Sequence, residues 1–429
     1  MEHLFSALYF IVAILSVWAI AMMIFLIFIT IKGFRKSGKD YADRDPQNKF
    51  LILIPAHNEE AVISGIINSI NSQDYPKELY DYYILADNCT DRTAEVAREL
   101  GAKVFEFFKE NENSPTGKPI ALQKAFHALG DYQQKYDLVM FFDADNLVDH
   151  NMLREVNSQM LENPEAVATQ CYLGAKNKSG IVAAFYYLSY TISNRFFQLA
   201  KCRMGLNIAI GGTGFAVRTK YIYQRGGWKS MSLTEDFEFQ IETTIDGKRM
   251  LWNNNVKVYD EKPTNIFACY KQQKRWAQGH WYVAFKNTPA LTKAFFQRKV
   301  KPMEFLSTLF YMYSLIPYFL MTIQLPMLAL SLVLKYTGVY TNTPYDINSL
   351  FSINLFSVLI FLYLFIFLFY VANYIDNDEK IDLKYLPTLV ASIAVSSCVI
   401  TLAKVVGLFR CRNQHTWVKT EHKINTTSV

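Results

Sequence analysis

Two closely spaced aspartates suggest a site for a divalent cation. Asp143 and Asp145 follow the apolar stretch 138–142, and Asp87 follows a similar stretch at 82–86. Two carboxylates this close repel each other unless a cation joins them. Hard oxygen ligands of this kind suit Mg²⁺ or Mn²⁺, with a substrate phosphate completing the coordination shell. We therefore favour a metal-binding function for the pair, whereas a helix cap explains Asp87 equally well.

Four further residues have types that could act on an anionic or ring-shaped ligand. Lys118 is the first residue of a predicted helix. A cation at this position interacts unfavourably with the helix dipole, unless an anionic diphosphate binds there as well. A solvated lysine is nearly as good an explanation. Asp236 lies in the first turn of a helix predicted over 234–246, where a cap is the simpler interpretation. Arg275 offers a planar fork of donors for a diphosphate, and Trp276 a flat face for a sugar ring. Both types are also common on amphipathic helices at a membrane surface.

A domain of alternating strands and helices is predicted to position these residues. Apolar runs predict strands at 50–54, 82–86, 103–106, 138–142 and 166–169. Apolar spacing and capping residues predict helices at 59–70, 118–129 and 152–161, and another from Asp91 or Thr93 to Leu100. Such alternation indicates an α/β fold with a mostly parallel sheet. Ligands bind beyond the carboxyl ends of such strands, so the three aspartates that follow strands should meet in one crevice.

Apolar segments outside this domain predict membrane spans. The chain has 429 residues, of which 51% are apolar and only 19% charged, whereas about 25% charged is usual in soluble proteins. A span needs about 20 apolar residues, and four uncharged runs approach or exceed that length: 4–31, 305–334, 347–375 and 385–403. A signal peptide is disfavoured for the first run, because it is too long and no basic residue precedes it.

The basic residues next to these runs predict the orientation. Those at 32–39 and 298–301 place both ends of the central domain in the cytoplasm. Three later spans would put the C-terminus outside, whereas Arg410 and Arg412 favour the cytoplasm, and the sequence leaves this open. The predicted organisation is a transmembrane helix (1–32), a cytoplasmic catalytic domain (33–285), an interfacial helix region (286–304), three transmembrane helices (305–409) and a tail (410–429).

Composition excludes some classes of protein. High apolar content and a net charge of only +6 exclude a mainly disordered chain. The six cysteines show no paired spacing for zinc or redox chemistry, so reduced structural thiols are the preferred interpretation. A transporter or nucleotide-binding scaffold is disfavoured, because the uncharged runs offer almost no ionisable residue for a substrate path.

Four segments resemble the motifs of inverting, nucleotide-sugar-dependent glycosyltransferases of the family-2 type. They are Ile54–Glu60 (IPAHNEE), Phe142–Asp145 (FDAD), Leu233–Asp236 (LTED) and Gln272–Trp276 (QQKRW). The chain looks most like the membrane-embedded branch that includes cellulose, hyaluronan, chitin and poly-N-acetylglucosamine synthases. Each motif alone is a weak signal, but all four in this order are specific. The resemblance covers roughly residues 49–285 and implies a GT-A-like fold with flanking helices and about four membrane spans.

The resemblance also implies roles in nucleotide binding. Asp87 should accept hydrogen bonds from a uracil ring, and Glu59 should help to hold the nucleotide. His57 stands where relatives often have a tyrosine that stacks on the base. Lys118 should bind the diphosphate. Asp145 should bind the Mg²⁺ or Mn²⁺ that bridges the diphosphate, with Asp143 in support.

The remaining implied roles concern transfer to the acceptor. Asp236 looks like the general base of the family, which must face the acceptor hydroxyl. Gln272, Arg275 and Trp276 match a motif that relatives carry on a helix beneath the membrane. Gly211–Phe215 would line the acceptor side by likeness, although a plain turn explains it equally well.

The expected function is therefore transfer of a sugar from a UDP-sugar, with inversion, to a growing polysaccharide. The guessed donor is UDP-N-acetylglucosamine or UDP-glucose, and processive synthesis at the cell membrane by a multi-pass protein is expected. The alternative is addition of one sugar to a lipid or short acceptor, because four spans are few for a polymer channel unless a homo-oligomer builds it. Expected partners are the donor, a saccharide or lipid-linked acceptor and membrane lipid, and no nucleic acid.

Overall fold

The computed structural model describes residues 2–36, 38–112, 114–318, 336–337, 363–376 and 382–414. Within these ranges the strands are β1 (Phe50–Ala56), β2 (Tyr80–Asp87), β3 (Lys103–Phe107), β4 (Leu138–Phe141), β5 (Leu147–Val148), β6 (Ala166–Ala175), β7 (Phe215–Arg218) and β8 (Arg249–Asp260). The α-helices are α1 (Glu2–Thr30), α2 (Ile63–Asn71), α3 (Thr93–Glu99), α4 (Lys118–Leu129), α5 (Tyr132–Lys135), α6 (Met152–Glu162), α7 (Ile181–Ser193), α8 (Ala200–Arg203), α9 (Thr219–Gln224), α10 (Glu235–Ile245), α11 (Ile266–Phe296), α12 (Pro302–Met312), α13 (Tyr363–Asp376) and α14 (Leu386–Phe409). A π-helical segment, Asn194–Leu199, joins α7 to α8.

The strands of the described residues form one mixed sheet in the order β3-β2-β1-β4-β7-β6-β8-β5. The neighbours β3, β2, β1 and β4 are parallel to one another, and β6 is parallel to β8. β7 is antiparallel to β4 and to β6, and β5 is antiparallel to β8. The prediction of an α/β fold is confirmed, but a mostly parallel sheet describes only the half that contains β1 to β4.

The side-chain alternation of β1 shows how helices cover both faces of the sheet. Phe50, Ile52 and Ile54 face a layer that includes α2 and α6, whereas Leu51 and Leu53 face a layer that includes α4. All five side chains are fully buried. Successive side chains of a strand point to opposite faces, so burial on both faces requires an uninterrupted apolar run. The parallel strands β1, β2 and β4 bring their carboxyl ends together at one edge, where the candidate site lies.

The predicted elements agree closely with those of the parallel half. α4 has the predicted bounds, and β1 to β4 begin and end within two residues of prediction. The helix predicted from residue 59 begins only at Ile63, because residues 60–62 form a turn. β6 continues to Ala175, six residues past its predicted end. The predicted domain limits stay a prediction, and α11 runs without a break through the limit at residue 285.

Two helices in the described part of the chain are long and apolar enough to cross a membrane. They are Ile14–Gly33, which combines most of α1 with a 3₁₀ turn, and α14. Parts of the predicted spans 305–334 and 347–375 lie outside the described residues, so the prediction of four spans stays a prediction. Between Phe10 and Ile27, the described side chains of α1 include large exposed apolar ones, as expected of a lipid-facing or protein-facing surface: Phe10, Ile14, Val17, Ile20, Ile24 and Ile27.

The helix α14 packs on the central domain along most of its length. Leu389 and Ile393 join a cluster with the end of α7, and Ile400 joins one with the beginning of α7. Near its end, Gly407 lies so close to Ala277 of α11 that an added Cβ would meet the alanine Cβ at 2.5 Å. The segment after α14 then reaches the loop before α10, where the Leu233 amide donates to Gln414 Oε1 at 3.0 Å.

Candidate active site

The loop after β4 carries the aspartate pair, and hydrogen bonds from its backbone to side chains hold it in place. The Asp143 amide donates to Asn146 Oδ1 at 3.0 Å and to Thr213 Oγ1 at 3.1 Å. Asp145 is only 5% exposed, and its Oδ2 accepts from the Glu261 amide at 3.0 Å. The Asp143 side chain is 41% exposed. One carboxylate is therefore held inside the domain, while the other is partly exposed.

Lys118 joins the aspartate loop to the beginning of α10. Its Nζ donates to Asp143 Oδ1 and to the Gly212 carbonyl, both at 2.6 Å, and lies 3.7 Å from Glu235 Oε1. Burial disfavours the ammonium, but Asp143, Glu235 and Asp236 outweigh burial and raise the pKa of Lys118. Lys118 therefore stays charged and binds the three carboxylates into one cluster.

Glu235 and Asp236, at the beginning of α10, have pKa values that burial and neighbouring charges shift. Burial raises the pKa of both Glu235 and Asp236, and the nearby Lys118 ammonium lowers it. Repulsion between the two carboxylates, and from Asp143, adds to the upward shift. An added Cβ on Gly212 would lie 3.0 Å from Asp236 Oδ2, and Gly212 has a φ of +80°, so a side chain there would be both strained and crowded against the acid.

Helix α11 packs very closely against the loop before α10. An added Cβ on Gly279 would meet Thr234 Oγ1 at 2.5 Å and the Thr234 amide nitrogen at 2.8 Å. On the same side of α11, Arg275 Nη1 donates a long hydrogen bond of 3.4 Å to the Leu233 carbonyl. Burial lowers the pKa of Arg275, whereas Glu235, Asp236 and Asp143 raise it. The guanidinium therefore lies in the field of the same carboxylate cluster.

Asp87 and His57 lie together at the ends of β2 and β1. His57 Nδ1 contacts the Asp87 carbonyl oxygen at 2.6 Å. Asp87 Oδ2 accepts from the Gly117 amide at 2.7 Å, which places it one residue from Lys118. Burial raises the pKa of Asp87, and the Gly117 hydrogen bond opposes this shift. Glu59 is buried beside them, and its amide donates to Thr93 Oγ1 at 2.8 Å.

Gln272 and Trp276 face a tyrosine of α7. The Tyr186 hydroxyl donates to Gln272 Oε1 at 2.8 Å and accepts from Gln273 Nε2 at 3.0 Å. The Trp276 ring meets the Tyr186 ring edge to face, with centroids 6.3 Å apart. Tyr186 and Trp276 therefore form an aromatic contact between α7 and α11.

All ten predicted site residues lie at or next to this connected site. The chain of contacts runs from His57 through Asp87 and Lys118 to the carboxylates and then to α11. Sequence reasoning assigned no role to Glu235, Tyr186 or Gln414. Glu235 could have been found from its place in the quoted motif. No local sequence signal marks Tyr186 or Gln414, because distant packing brings them to the site.

The predicted metal site needs ligands beyond the protein. Among the described residues no group of three His, Cys, Asp or Glu side chains is gathered to hold a metal. Asp143 and Asp145 offer hard carboxylate oxygens, and this fits Mg²⁺ or Mn²⁺ if substrate oxygens complete the shell.

A family model described as "Glycosyltransferase like family 2" matches residues 46–279, more than half of the chain. The chain belongs to this family. The resemblance of the four motifs is thereby confirmed. The family is that of sugar-transferring enzymes, and its matched region contains every predicted site residue.

Curated relatives of this family-2 chain include enzymes of polysaccharide and glycolipid synthesis. The chain is 27% identical over 243 residues to the probable glycosyltransferase YdaM of Bacillus subtilis, a match that covers 56% of each protein. It is 26% identical over 236 residues to a beta-monoglucosyldiacylglycerol synthase of Synechocystis, covering 54% of this chain and 48% of the relative. It is 24% identical over 277 residues to the poly-beta-1,6-N-acetyl-D-glucosamine synthase of Staphylococcus epidermidis, covering 65% of each. The matched region thus spans about half to two thirds of these relatives.

The solved structures add evidence for the fold. The mannosyltransferase PcManGT of Pyrobaculum calidifontis, in complex with GDP-Man and Mn²⁺, superimposes with a TM-score of 0.60 at 16% identity. The match covers 93% of this chain and 98% of PcManGT. The shared architecture is GT-A-like, and at this identity the similarity concerns the fold alone.

Proposed function

We propose that this protein transfers a sugar from a UDP-sugar to a saccharide acceptor with inversion at the anomeric carbon. The observation that carries the proposal is the cluster around Lys118. The Lys118 ammonium, on a side chain that is 18% exposed, lies between Asp143 at 2.6 Å and the buried Glu235 at 3.7 Å, and the neighbouring Asp236 adds a further negative charge. A positive group of this kind can neutralise a leaving diphosphate on one side. On its other side it can keep a general base anionic.

The proposed transfer needs one proton acceptor and one departing diphosphate. Asp236 takes the proton of the acceptor hydroxyl as the hydroxyl oxygen bonds to the anomeric carbon. The bond from that carbon to the diphosphate oxygen breaks on the opposite face, and UDP leaves with the electron pair. Burial and neighbouring acids raise the pKa of Asp236, which strengthens it as a base.

The nucleotide would bind across the ends of β1 and β2. Asp87 can accept from the uracil ring, because each of its oxygens has a lone pair beyond its present bonds to Gly117 and Asn88. His57 would stack on the base, and Glu59 would support this end of the nucleotide.

A divalent cation would be held by Asp145 and Asp143 together with diphosphate oxygens. Such a cation supplies positive charge that stabilises the leaving diphosphate. Lys118 supplies a second positive charge, and Arg275 a third. The acceptor would lie against Trp276, since a flat aromatic face suits a sugar ring. The hydrogen bond from Tyr186 would orient the Gln272 side chain.

The test is a release assay for the nucleoside diphosphate on membranes that contain the full chain. The donors are UDP-glucose, UDP-N-acetylglucosamine, UDP-glucuronate and GDP-mannose, each with and without Mn²⁺. We expect release from a UDP-sugar only when metal is present. Asp236→Asn should abolish release while UDP still binds. A fully active Asp236→Asn protein would refute the assignment of the base, and release from GDP-mannose alone would refute the donor class.

Processive synthesis of a polysaccharide is the first candidate for the product, and similarity to the Staphylococcus synthase supports it. The similarity to beta-monoglucosyldiacylglycerol synthases supports the alternative, a single sugar added to a lipid. Product length separates the two candidates. A ladder or high polymer on a gel favours the first, and one shifted lipid band favours the second. In both cases we propose a multi-pass protein of the cell membrane with its catalytic domain in the cytoplasm.

A further inference from the structure

The loop that carries the proposed base is held from two sides at Leu233. Its amide donates to Gln414 Oε1 at 3.0 Å, and its carbonyl accepts from Arg275 at 3.4 Å. Leu233 is buried and lies three residues before Asp236. Both backbone polar groups of this residue are therefore used by side chains from distant parts of the chain.

Gln414 is itself fixed by two backbone carbonyls, one in the turn after α14 and one on α11. Its Nε2 donates to the Cys411 carbonyl at 2.6 Å and makes a longer bond of 3.4 Å to the Gln278 carbonyl. In return, Gln278 Nε2 lies 3.4 Å from the carbonyls of Arg410 and Asn413. Hydrogen bonds in both directions thus connect the segment after α14 to the middle of α11, and we call this contact the α11–α14 joint.

The α11–α14 joint is closely packed, and this limits how far the two helices can move relative to each other. Gly407 of α14 lies against Ala277, and Leu408 and Cys411 pack with Ala277 and Trp281. On the neighbouring turn of α11, Gly279 lies against Thr234. Close packing transmits small displacements, because interiors have little free volume.

We propose that Gln414 is a positioning residue for the proposed base, and that the segment after α14 sets the place of Asp236 through Leu233. This inference rests on the proposed function. Gln414 does not touch substrate, and it acts by fixing the amide that begins the turn into α10. The C-terminal end of α14 is thereby part of one unit with the active-site loop.

The test uses the full chain in nanodiscs and three variants. Gln414→Met keeps the side-chain length but removes the hydrogen bonds, and Gln414→Glu keeps an acceptor for the Leu233 amide. Arg412→Ala is the matched control, because Arg412 is exposed two residues earlier. The measurements are kcat and donor KM for transfer, thermal stability, and hydrogen exchange of the peptide that contains Leu233.

We expect Gln414→Met to lower kcat about two- to tenfold, the loss for one backbone hydrogen bond, with donor KM unchanged. Exchange at Leu233 should become faster in this variant. Gln414→Glu should retain more of the rate than Gln414→Met, and Arg412→Ala should match the wild type. Wild-type kcat and exchange in Gln414→Met would overturn the proposal, as would a loss of rate that only follows a loss of stability. If the wild type releases no nucleotide from any donor, the proposed function fails, while the exchange measurement still decides whether Gln414 holds the loop.

Discussion

The short distance between Gly279 and Thr234 allows a sharp test of how the proposed base is positioned. The change is Gly279→Ala, in the middle of α11. Helix propensity alone would favour alanine by about 0.8–1 kcal/mol. The new Cβ would lie 2.5 Å from Thr234 Oγ1 and 2.7 Å from its Cγ2. Carbon contacts prefer about 3.5–4.0 Å, so α10 and α11 must separate by roughly 1 Å.

The effects on stability and on rate should therefore differ strongly. Overpacking costs about 1–3 kcal/mol, and the gain in propensity offsets part of it, so the free energy of unfolding should fall by no more than about 2 kcal/mol. A displacement of about 1 Å at the reacting groups can lower the rate about 100-fold. We expect a strong loss of kcat in the release assay with a small change in Tm.

A second substitution supplies the control. Thr234→Ala removes both side-chain atoms that Gly279→Ala would strike, and the described residues give Thr234 Oγ1 no hydrogen-bond partner. Thr234→Ala alone should keep most of the rate, and the double variant should recover part of what Gly279→Ala loses. Recovery should be partial, since the Thr234 amide nitrogen would still lie 2.8 Å away. Wild-type kcat in Gly279→Ala would refute the reasoning, and so would a double variant no faster than Gly279→Ala.

Three further results are expected in the same assay. Asp236→Asn should lower kcat by about 100- to 10,000-fold with UDP affinity retained, the usual effect of losing a general base, and isothermal titration with UDP checks the binding. Asp145→Asn should raise the Mn²⁺ concentration needed for half-maximal release, and an unchanged titration would remove Asp145 from the metal site. Lys118→Met should move the acidic limb of the pH profile to higher pH. The base must be ionised, burial raises the pKa of Asp236 and Lys118 lowers it, so removing the ammonium raises the pKa further. A limb that stays in place or moves to lower pH would contradict this account.

The parallel half of the sheet could be predicted because its signals are local. Phe50–Ile54 is an apolar run of strand length, and Gly117 and Gly130 bound α4. Parallel pairing of β1, β2 and β4 then places Asp87 and Asp143 at the same edge, as expected of open sheets. The sequence therefore predicted that these two aspartates follow strands whose carboxyl ends lie at one edge of the sheet.

The other half of the sheet, which mixes parallel and antiparallel pairs, could not be predicted in the same way. β7 has four residues and β5 only two, and β7 inserts between β4 and β6, which are distant from it in sequence. The pairing of β6 with β8 bridges about 80 residues, from Ala168 to Met250, and includes a register shift after Cys171. Such pairings depend on tertiary packing and not on local propensity. Gln414 was missed for the same reason, since only the fold brings it to Leu233.

The contacts of α13 and α14 bear on the orientation that the sequence left open. Asp376 at the end of α13 pairs with the buried Arg195, and Gln414 after α14 bonds to Leu233. Both partners belong to the central domain, and we therefore predict that the chain leaves α13 and α14 on the same side of the membrane as that domain. α14 would then lie along the domain surface without crossing, and the two predicted spans before it would return the chain to the cytoplasm. This agrees with Arg410 and Arg412, because basic flanks favour the cytoplasmic side. A fluorescent reporter that matures only in the cytoplasm, fused after residue 429, should be bright, and a dark reporter on a stable, active protein would contradict this orientation.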